Sequence, residues 1–343
     1  MDDPRAASLV KRYSTLQTQR SSWESHWQEI ADYIVPRKAD ITKKRTSGDK
    51  RSELIFDGTA IHAAELMAAS LHGMLTNAAT PWFSLRYEEN ELNGDDESKE
   101  WLEGATDVMY QHLARSNFQE QIHELYSDLV TFGTGVIFVE DDKKNGLRFS
   151  TRHIAECYVS EDEDGRVDTV FRKYKTTARA AVRQFGEQQV TQRIDKINST
   201  DPYAEIELLH VVMPRDDYDS RKKNTKNMPY ASIYIDAEEK QILGESGYQE
   251  FAYCVPRFLQ IHPPLMVPDD GFMAPVRTTP GGINFYRSGT RDRIEPLQIG
   301  SNNPIGEMQL EQRRTAIRAA FYVDQLILGQ GPQMTATEVI QRT

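Results

Sequence analysis

From Leu9 to Ile34, apolar residues return at steps of three, four or seven: Leu9, Tyr13, Leu16, Trp23, Trp27, Ile30 and Ile34. That spacing draws one helical stripe, and Pro36 ends it. The polar run QTQRSS interrupts the stripe at Arg20 and Ser21 and leaves room for a division into two helices. Next, RKADITKKRTSGDKR is basic and polar, and reads as a mobile loop first and a phosphate-contacting one second. DGTAIHAAELMAASLHGMLT predicts an Ala-rich helix capped by Asp57 or Thr59, and TPWFSLRYE alternates in the manner of a strand. After the acidic loop ENELNGDDES come two more helices, over SKEWLEGATDVMYQHLARS and NFQEQIHELYSDLVTFG. The second has Asn117 as cap, a stripe of Phe118, Ile122, Leu125 and Leu129, and Gly133 past its end.

Beyond residue 135 the period shortens to two. GVIFVEDDKKNGLRFS predicts two strands around Asn145-Gly146, and ECYVSEDEDGRVDTVFRKY two more around Asp164-Gly165. A helix over TTARAAVRQFG, capped by Thr177 and stopped by Gly186, gives way to strands in AEIELLHVVMPR and ASIYIDAEEKQILGES. The fold class is therefore α+β. From Ile261 to Gly300 the chain is punctuated by Pro and Gly, which suits a small module of short strands and turns. NPIGEMQLEQRRTAIRAAFYVDQLIL then predicts a strong helix, with Asn303 as cap, Pro304 at its first position and Glu307 in the first turn. In MTATEVIQRT a new helix opens, Thr335 and Glu338 having the spacing of a capping box.

Composition narrows the function classes. Of 343 residues, 38% are hydrophobic and 27% charged, and no apolar run approaches the length that crosses a bilayer. The net charge of -11 disfavours a surface that wraps duplex by neutralising its phosphates. Cys157 and Cys254, far apart in sequence in apolar, strand-like settings, read as two buried reduced thiols first and a disulfide second.

Enzyme-like motifs each carry a plainer alternative. FGTG at 132–135 leads into a strand, so it is a helix stop and not a phosphate loop. His62, Glu65 and His72 lack a second matched pair for a metal. SEDEDGRVDTVF has Phe171 where a calcium loop needs a bidentate Glu, which makes it a hairpin turn. Trp23 and Trp27, four apart on an apolar stripe, are core or interface residues before they are a platform for bases. No catalytic residue, metal site or cofactor is expected.

Several stretches taken together resemble the head-to-tail connecting, or portal, proteins of short-tailed bacteriophages. They include WESHWQEIADYIVPR; Phe56, Asp57, Thr59 and Ala60; Leu71, Met74, Leu75 and Thr76 before Trp82 and Phe83; Ser116 to Phe118; and Phe132 to Gly135. Pro256 and Arg257, Pro280 to Ile283, and Met334 to Val339 with Arg342 continue the series. The resemblance implies an elongated portal subunit with a helical and β-rich wing, stem helices, a small clip module and the start of a crown-ward helix. Mapped on this sequence, the wing is 1–260 (helical 1–135, β-rich 136–260) and the clip 261–300. The stem helix and channel loop follow at 301–333, and the crown-ward helix begins at 334–343. Relatives interpose a further helix after a segment like VPRFLQ and continue beyond TATEV; here Gln260 abuts Ile261, so a stem helix is missing and the last helix is expected to be cut short.

What the resemblance implies about function is a dodecameric ring at one capsid vertex of the virion, assembled in the host cytoplasm. Its partners would be the double-stranded DNA in its channel, terminase, tail adaptor proteins and capsid protein, with no membrane. Arg313, Arg314 and Arg318 on the stem-like helix are the candidates to face the channel or a neighbouring subunit, with intersubunit ion pairs an equal alternative. Phe321, Tyr322, Asp324, Gln325 and Gln330 belong to the candidate channel loop, and Thr335 and Glu338 are a structural cap. The rival is a soluble metal-dependent enzyme acting on nucleic acid or phosphate esters; a third reading is a monomeric protein-binding adaptor.

Overall fold

The structure, a computed structural model, describes residues 3–46, 48–53, 55–88, 92–142, 146–219, 221–222, 224–256 and 304–323. The chain divides into two compact units, Met1–Phe258 with Ile317–Thr343, and Leu259–Ala316. Seven helices and two antiparallel sheets lie among the described residues, so the chain is α+β as its periodicities require.

Helix α1 (Pro4–Ile34) is continuous through Arg20 and Ser21 and is not divided. Asp3 caps it, accepting from the N–H groups of Arg5 and Ala6, and the helix stops one residue before the Val35-Pro36 bond. The interruption is only apparent, because Arg20 lies on the buried stripe and lays its guanidinium 3.5 Å from the centre of the Tyr158 ring.

α2 (Thr59–Leu75), α3 (Asp96–Arg115) and α4 (Phe118–Phe132) complete the helical half. Gly58 takes the capping position of α2, while the Asp57 carboxylate accepts from the N–H and hydroxyl of Thr59. Asn117 sits at the cap of α4 but makes no capping bond; its amide instead donates to the carbonyl and accepts from the N–H of Phe149. TPWFSLRYE does not form a strand. Its N–H groups at Trp82 and Phe83 donate to the Tyr110 hydroxyl and that of Leu85 to Thr106, so α3 side chains satisfy the backbone in place of a neighbouring strand. α4 ends at Gly133 in the left-handed region, with φ 74. Two residues on, a side chain at Gly135 would meet Leu125 Cδ1 at 2.6 Å, so the turn admits no Cβ there.

Strands β1 (Val136–Asp142) and β2 (Gly146–Arg152) pair as a hairpin, and β1 also pairs with β8 (Tyr253–Cys254), giving the order β2-β1-β8. A five-stranded sheet runs β3-β4-β5-β6-β7, from β3 (Cys157–Glu161) and β4 (Val167–Thr177) to β5 (Glu205–Pro214), β6 (Tyr230–Asp236) and β7 (Gln241–Tyr248). The β3–β4 turn is closed by Asp162, whose carboxylate accepts from the N–H groups of Asp164 and Arg166, with Gly165 at φ 76. This is the hairpin turn expected of SEDEDGRVDTVF. Between β4 and β5 lie α5 (Ala178–Phe185), capped by Thr177 as expected, and α6 (Gln192–Thr200), which the sequence did not announce.

Alternation sorts the large sheet into two buried faces. Tyr158, Phe171, Leu209, Val211, Ala231, Ile233 and Ile235 pack under Ala6, Leu9 and Tyr13 of α1. On the opposite face, Val170 and Val212 meet Val136, Phe138 and Tyr253 of the small sheet, while Ile206, Leu208 and Leu243 meet Ala181, Val190 and Ile194 of the α5–α6 pair. A strand covered on both sides reads as a near-continuous apolar run, as EIELLHVVMP does. Trp27 is buried in the core at the sheet junction, whereas Trp23 is exposed, and the two rings lie 6.2 Å apart. Cys157 is buried and burial pushes its thiol up to about 12. Cys254, at the end of the short β8, is an exposed thiol and departs from the expected burial.

Candidate functional site

The candidate channel elements lie on and after α7 (Pro304–Ala320), which begins at its proline as expected. Asn303 lies outside the described residues. Arg313 and Arg318 are exposed and Arg314 is half-buried. Arg314 and Arg318 share a helix face one turn apart, while Arg313 is rotated by about 100° from Arg314. Arg314 Nη1 reaches Glu311 Oε2 within the same helix at 3.4 Å, an exposed pair of small energetic weight. The last carbonyls of α7 are closed by the N–H groups of Phe321 onto Ile317 and of Tyr322 onto Ala319. Tyr322 then takes φ 54, and this left-handed residue turns the chain out of the helix with its ring exposed. Asp324, Gln325, Gln330, Thr335 and Glu338, together with the proposed clip at 261–300, lie outside the described residues.

In the helical half, the basic segment after α1 is tied down rather than loose. The buried Gln28 side chain accepts from the N–H groups of Ile41, Thr42 and Lys43 and donates to the Ala39 carbonyl. Asp32 receives Lys43 and Arg45, and Asp40 receives Arg45 and Arg51. These cations hold the Asp32 and Asp40 carboxyls below the usual range, in Asp32 against an opposing desolvation. Lys43, Arg45 and Arg51 are thereby engaged within the chain, which weakens the phosphate-contact alternative for the segment.

Asp128 is a buried charge in the helical half. Asp128 lies on the apolar stripe of α4, next to Leu125 and Leu129, and a carboxylate at a core position is itself the signal. It contacts the Lys38 ammonium, which also reaches Glu124 at 2.6 Å, while its second oxygen is buried without a partner. Burial outweighs the ammonium and raises the Asp128 carboxyl to about 6. A raised carboxyl contributes stability that is complete below its unfolded value of about 4 and is lost as pH rises through about 6. The loss is on the order of 3 kcal/mol. Asp128→Asn is expected to lack this slope, so its melting temperature should gain on wild type between pH 4 and pH 7. Parallel pH profiles for the two proteins would refute the assignment.

Of the histidines noted as a metal spacing, His72 is used otherwise: its Nε2 and Gln119 Oε1 hydrogen-bond at 2.6 Å, and its ring lies beside His123. Among the described residues, no group of three or more His, Cys, Asp or Glu side chains is arranged to hold a metal, and no helix is long and apolar enough to cross a membrane.

The chain belongs to the bacteriophage head to tail connecting protein family, whose model matches residues 6–262 and 259–343. It is 29% identical over 381 residues to the probable portal protein of Bordetella phage BPP-1, an alignment covering 97% of this chain and 68% of the relative. It is 30% identical over 262 residues to the portal protein of Salmonella phage epsilon15, covering 75% of this chain and 47% of that one. The chain is a structural portal-class subunit and not an enzyme. The two blocks of the family match meet at 259–262, where the sequence steps from VPRFLQ to IHPPLMV.

Proposed function

We propose that the subunit assembles into a closed ring, a dodecamer by family expectation, whose central channel passes double-stranded DNA at one capsid vertex. In this reading terminase drives packaging through the ring, tail adaptor proteins later dock on it, capsid protein surrounds it, and assembly takes place in the host cytoplasm. Residues 1–260 form the wing, 261–300 the clip and 301–333 the stem helix with the channel loop, and 334–343 start the crown-ward helix capped by Thr335 and Glu338. The observation that carries the reading is the family match across almost the whole chain.

The charge balance supports it. A duplex must slide, and a wall that gathered many phosphates would release many counterions and hold the DNA in place. A chain of net charge -11 with few cations on one helix, Arg313, Arg314 and Arg318, avoids that brake while keeping contact with DNA or with the adjoining subunit. Negative-stain microscopy with native mass measurement tests the assembly: closed rings are expected, and a stable monomer with metal-dependent turnover would overturn the proposal. Alanine at Phe321, Tyr322, Asp324, Gln325 and Gln330 together is expected to leave rings intact and to lose packaged DNA. Unchanged DNA retention would remove the loop from the channel.

A further inference from the structure

Across the five-stranded sheet, Cys157, Arg172, His210, Tyr234 and Gly244 are successive cross-strand partners and therefore share one face. Tyr174, two residues beyond Arg172 on β4, shares it as well. This row lies between the core under the small sheet and the core under α5 and α6. His210 is fully buried and stacks on Tyr234 with 4.2 Å between centroids, and its Nε2 and Ser232 Oγ hydrogen-bond at 2.9 Å. Burial lowers its pKa to about 3, so it adds no charge. Burial also raises the Tyr174 and Tyr234 phenols, which stay protonated as O–H donors.

Arg152, the last residue of β2, approaches the row from the small sheet. Its guanidinium lies 5.8 Å from the Phe138 ring, whose edge meets His210 at 5.7 Å. No hydrogen bond or ion pair engages that guanidinium among the described residues, and its Nε is buried without a partner. Arg172 spends its Nε on Glu156 at 2.9 Å and packs over Tyr174 at 4.4 Å. The nearby Glu140 carboxylate faces Arg148 at 3.9 Å. Burial and then the Arg172 charge lower the Arg152 pKa, so the two half-buried guanidinium groups lie within electrostatic reach of each other, and only that of Arg172 is paired with a carboxylate. An excess positive charge out of water is unfavourable unless an anion completes it, and the guanidinium fork matches the paired oxygens of an oxoanion.

We propose that Arg152 and Arg172 hold a small oxoanion, a phosphate or a carboxylate, at the junction of the two sheets, with the Tyr174 hydroxyl as a further donor. Isothermal titration with inorganic phosphate at constant ionic strength should show saturable binding at one site per chain. Arg152→Met should weaken it at least tenfold, with Arg152→Lys and Tyr174→Phe weakening it less. Competition by acetate would assign the site to carboxylates, including a side chain of another molecule; phosphate binding that acetate does not displace would assign it to phosphate. Without added phosphate, Arg152→Met should melt above wild type, since it removes the uncompensated charge, and phosphate should close the gap. Absence of saturable binding by either anion, undiminished binding by Arg152→Met, or a lower melting point for that variant without phosphate would each overturn the proposal.

Discussion

Arg20→Ala is expected to cost about 3–5 kcal/mol of stability, the scale for removing one partner from a buried charge network. All five guanidinium N–H donors of Arg20 are used. Nε and Nη2 donate to Glu24 Oε1 at 3.0 and 2.7 Å, Nη2 also to the Ala155 carbonyl at 2.9 Å, and Nη1 to the carbonyls of Ile154, at 2.8 Å, and Cys157. Ile154 and Ala155 lie in the short link between β2 and β3 and Cys157 opens β3, so one side chain fastens α1 to the joint between the sheets. Alanine removes a donor from three carbonyls and from the Glu24 carboxylate, of which the Ile154 carbonyl keeps the Cys157 N–H and Glu24 keeps the Tyr158 hydroxyl, and it uncovers the face of Tyr158. Lysine supplies a point charge and no fork, so Arg20→Lys should recover less than half of the loss. Urea midpoints measure the series; a loss under about 1 kcal/mol for alanine would show that the clasp is not holding the joint.

Asp236→Ala should be nearly as damaging, at about 3–4 kcal/mol. Asp236 is completely buried at the end of β6. Its Oδ2 accepts from the Thr191 hydroxyl at 2.8 Å and from Arg193 Nε at 3.2 Å, and its Oδ1 from Arg193 Nη2 at 2.8 Å and the Glu238 N–H at 3.1 Å. Thr191 Oγ1 in turn accepts from the N–H of Ile194, capping α6. The carboxylate therefore fixes the orientation of the cap, and α6 should open before the rest of the sheet when it is removed. Amide exchange at Ile194 should accelerate in Asp236→Ala far more than at Val211 in β5. Equal acceleration at both positions would mean that the carboxylate supports the whole sheet and not α6 in particular.

The residues explain which of these features the sequence made legible. Long stripes such as Leu9 to Ile34 and two-residue alternation around tight turns survive folding, because burial enforces the same period that betrays them. TPWFSLRYE misleads because its alternation is genuine while its hydrogen-bond partners, Tyr110 and Thr106, lie on a helix some twenty to thirty residues downstream. α6 escapes notice because it is short and polar and buries Ile194 as its one fully enclosed side chain. Arg20 looked like a break in the stripe because a single letter does not show where its five donors will find acceptors. Asn117 stands at the predicted boundary but does not cap it, since β2 competes for its amide. The anion-site residues Arg152 and Arg172 carry no local signal, because they lie on separate sheets. Helix α7, in contrast, is legible from its own pattern of a proline at the first position and apolar residues at helical spacing.

Helix α1 also sets an order of events during synthesis. The Asp3 N–H bonds the Lys240 carbonyl, and Arg5 pairs with Glu245, 240 residues later in the chain. Ribosomes add about 5–20 residues per second, so roughly 10–50 s separate the emergence of these partners. Tyr158, Phe171 and Leu209 emerge within that interval, but until β6 and β7 follow, Leu9 and Tyr13 have only part of their sheet to cover. Docking of α1 is therefore a late step, slowed by long-range loop closure, and the nascent chain is most exposed to aggregation just before β7 is complete.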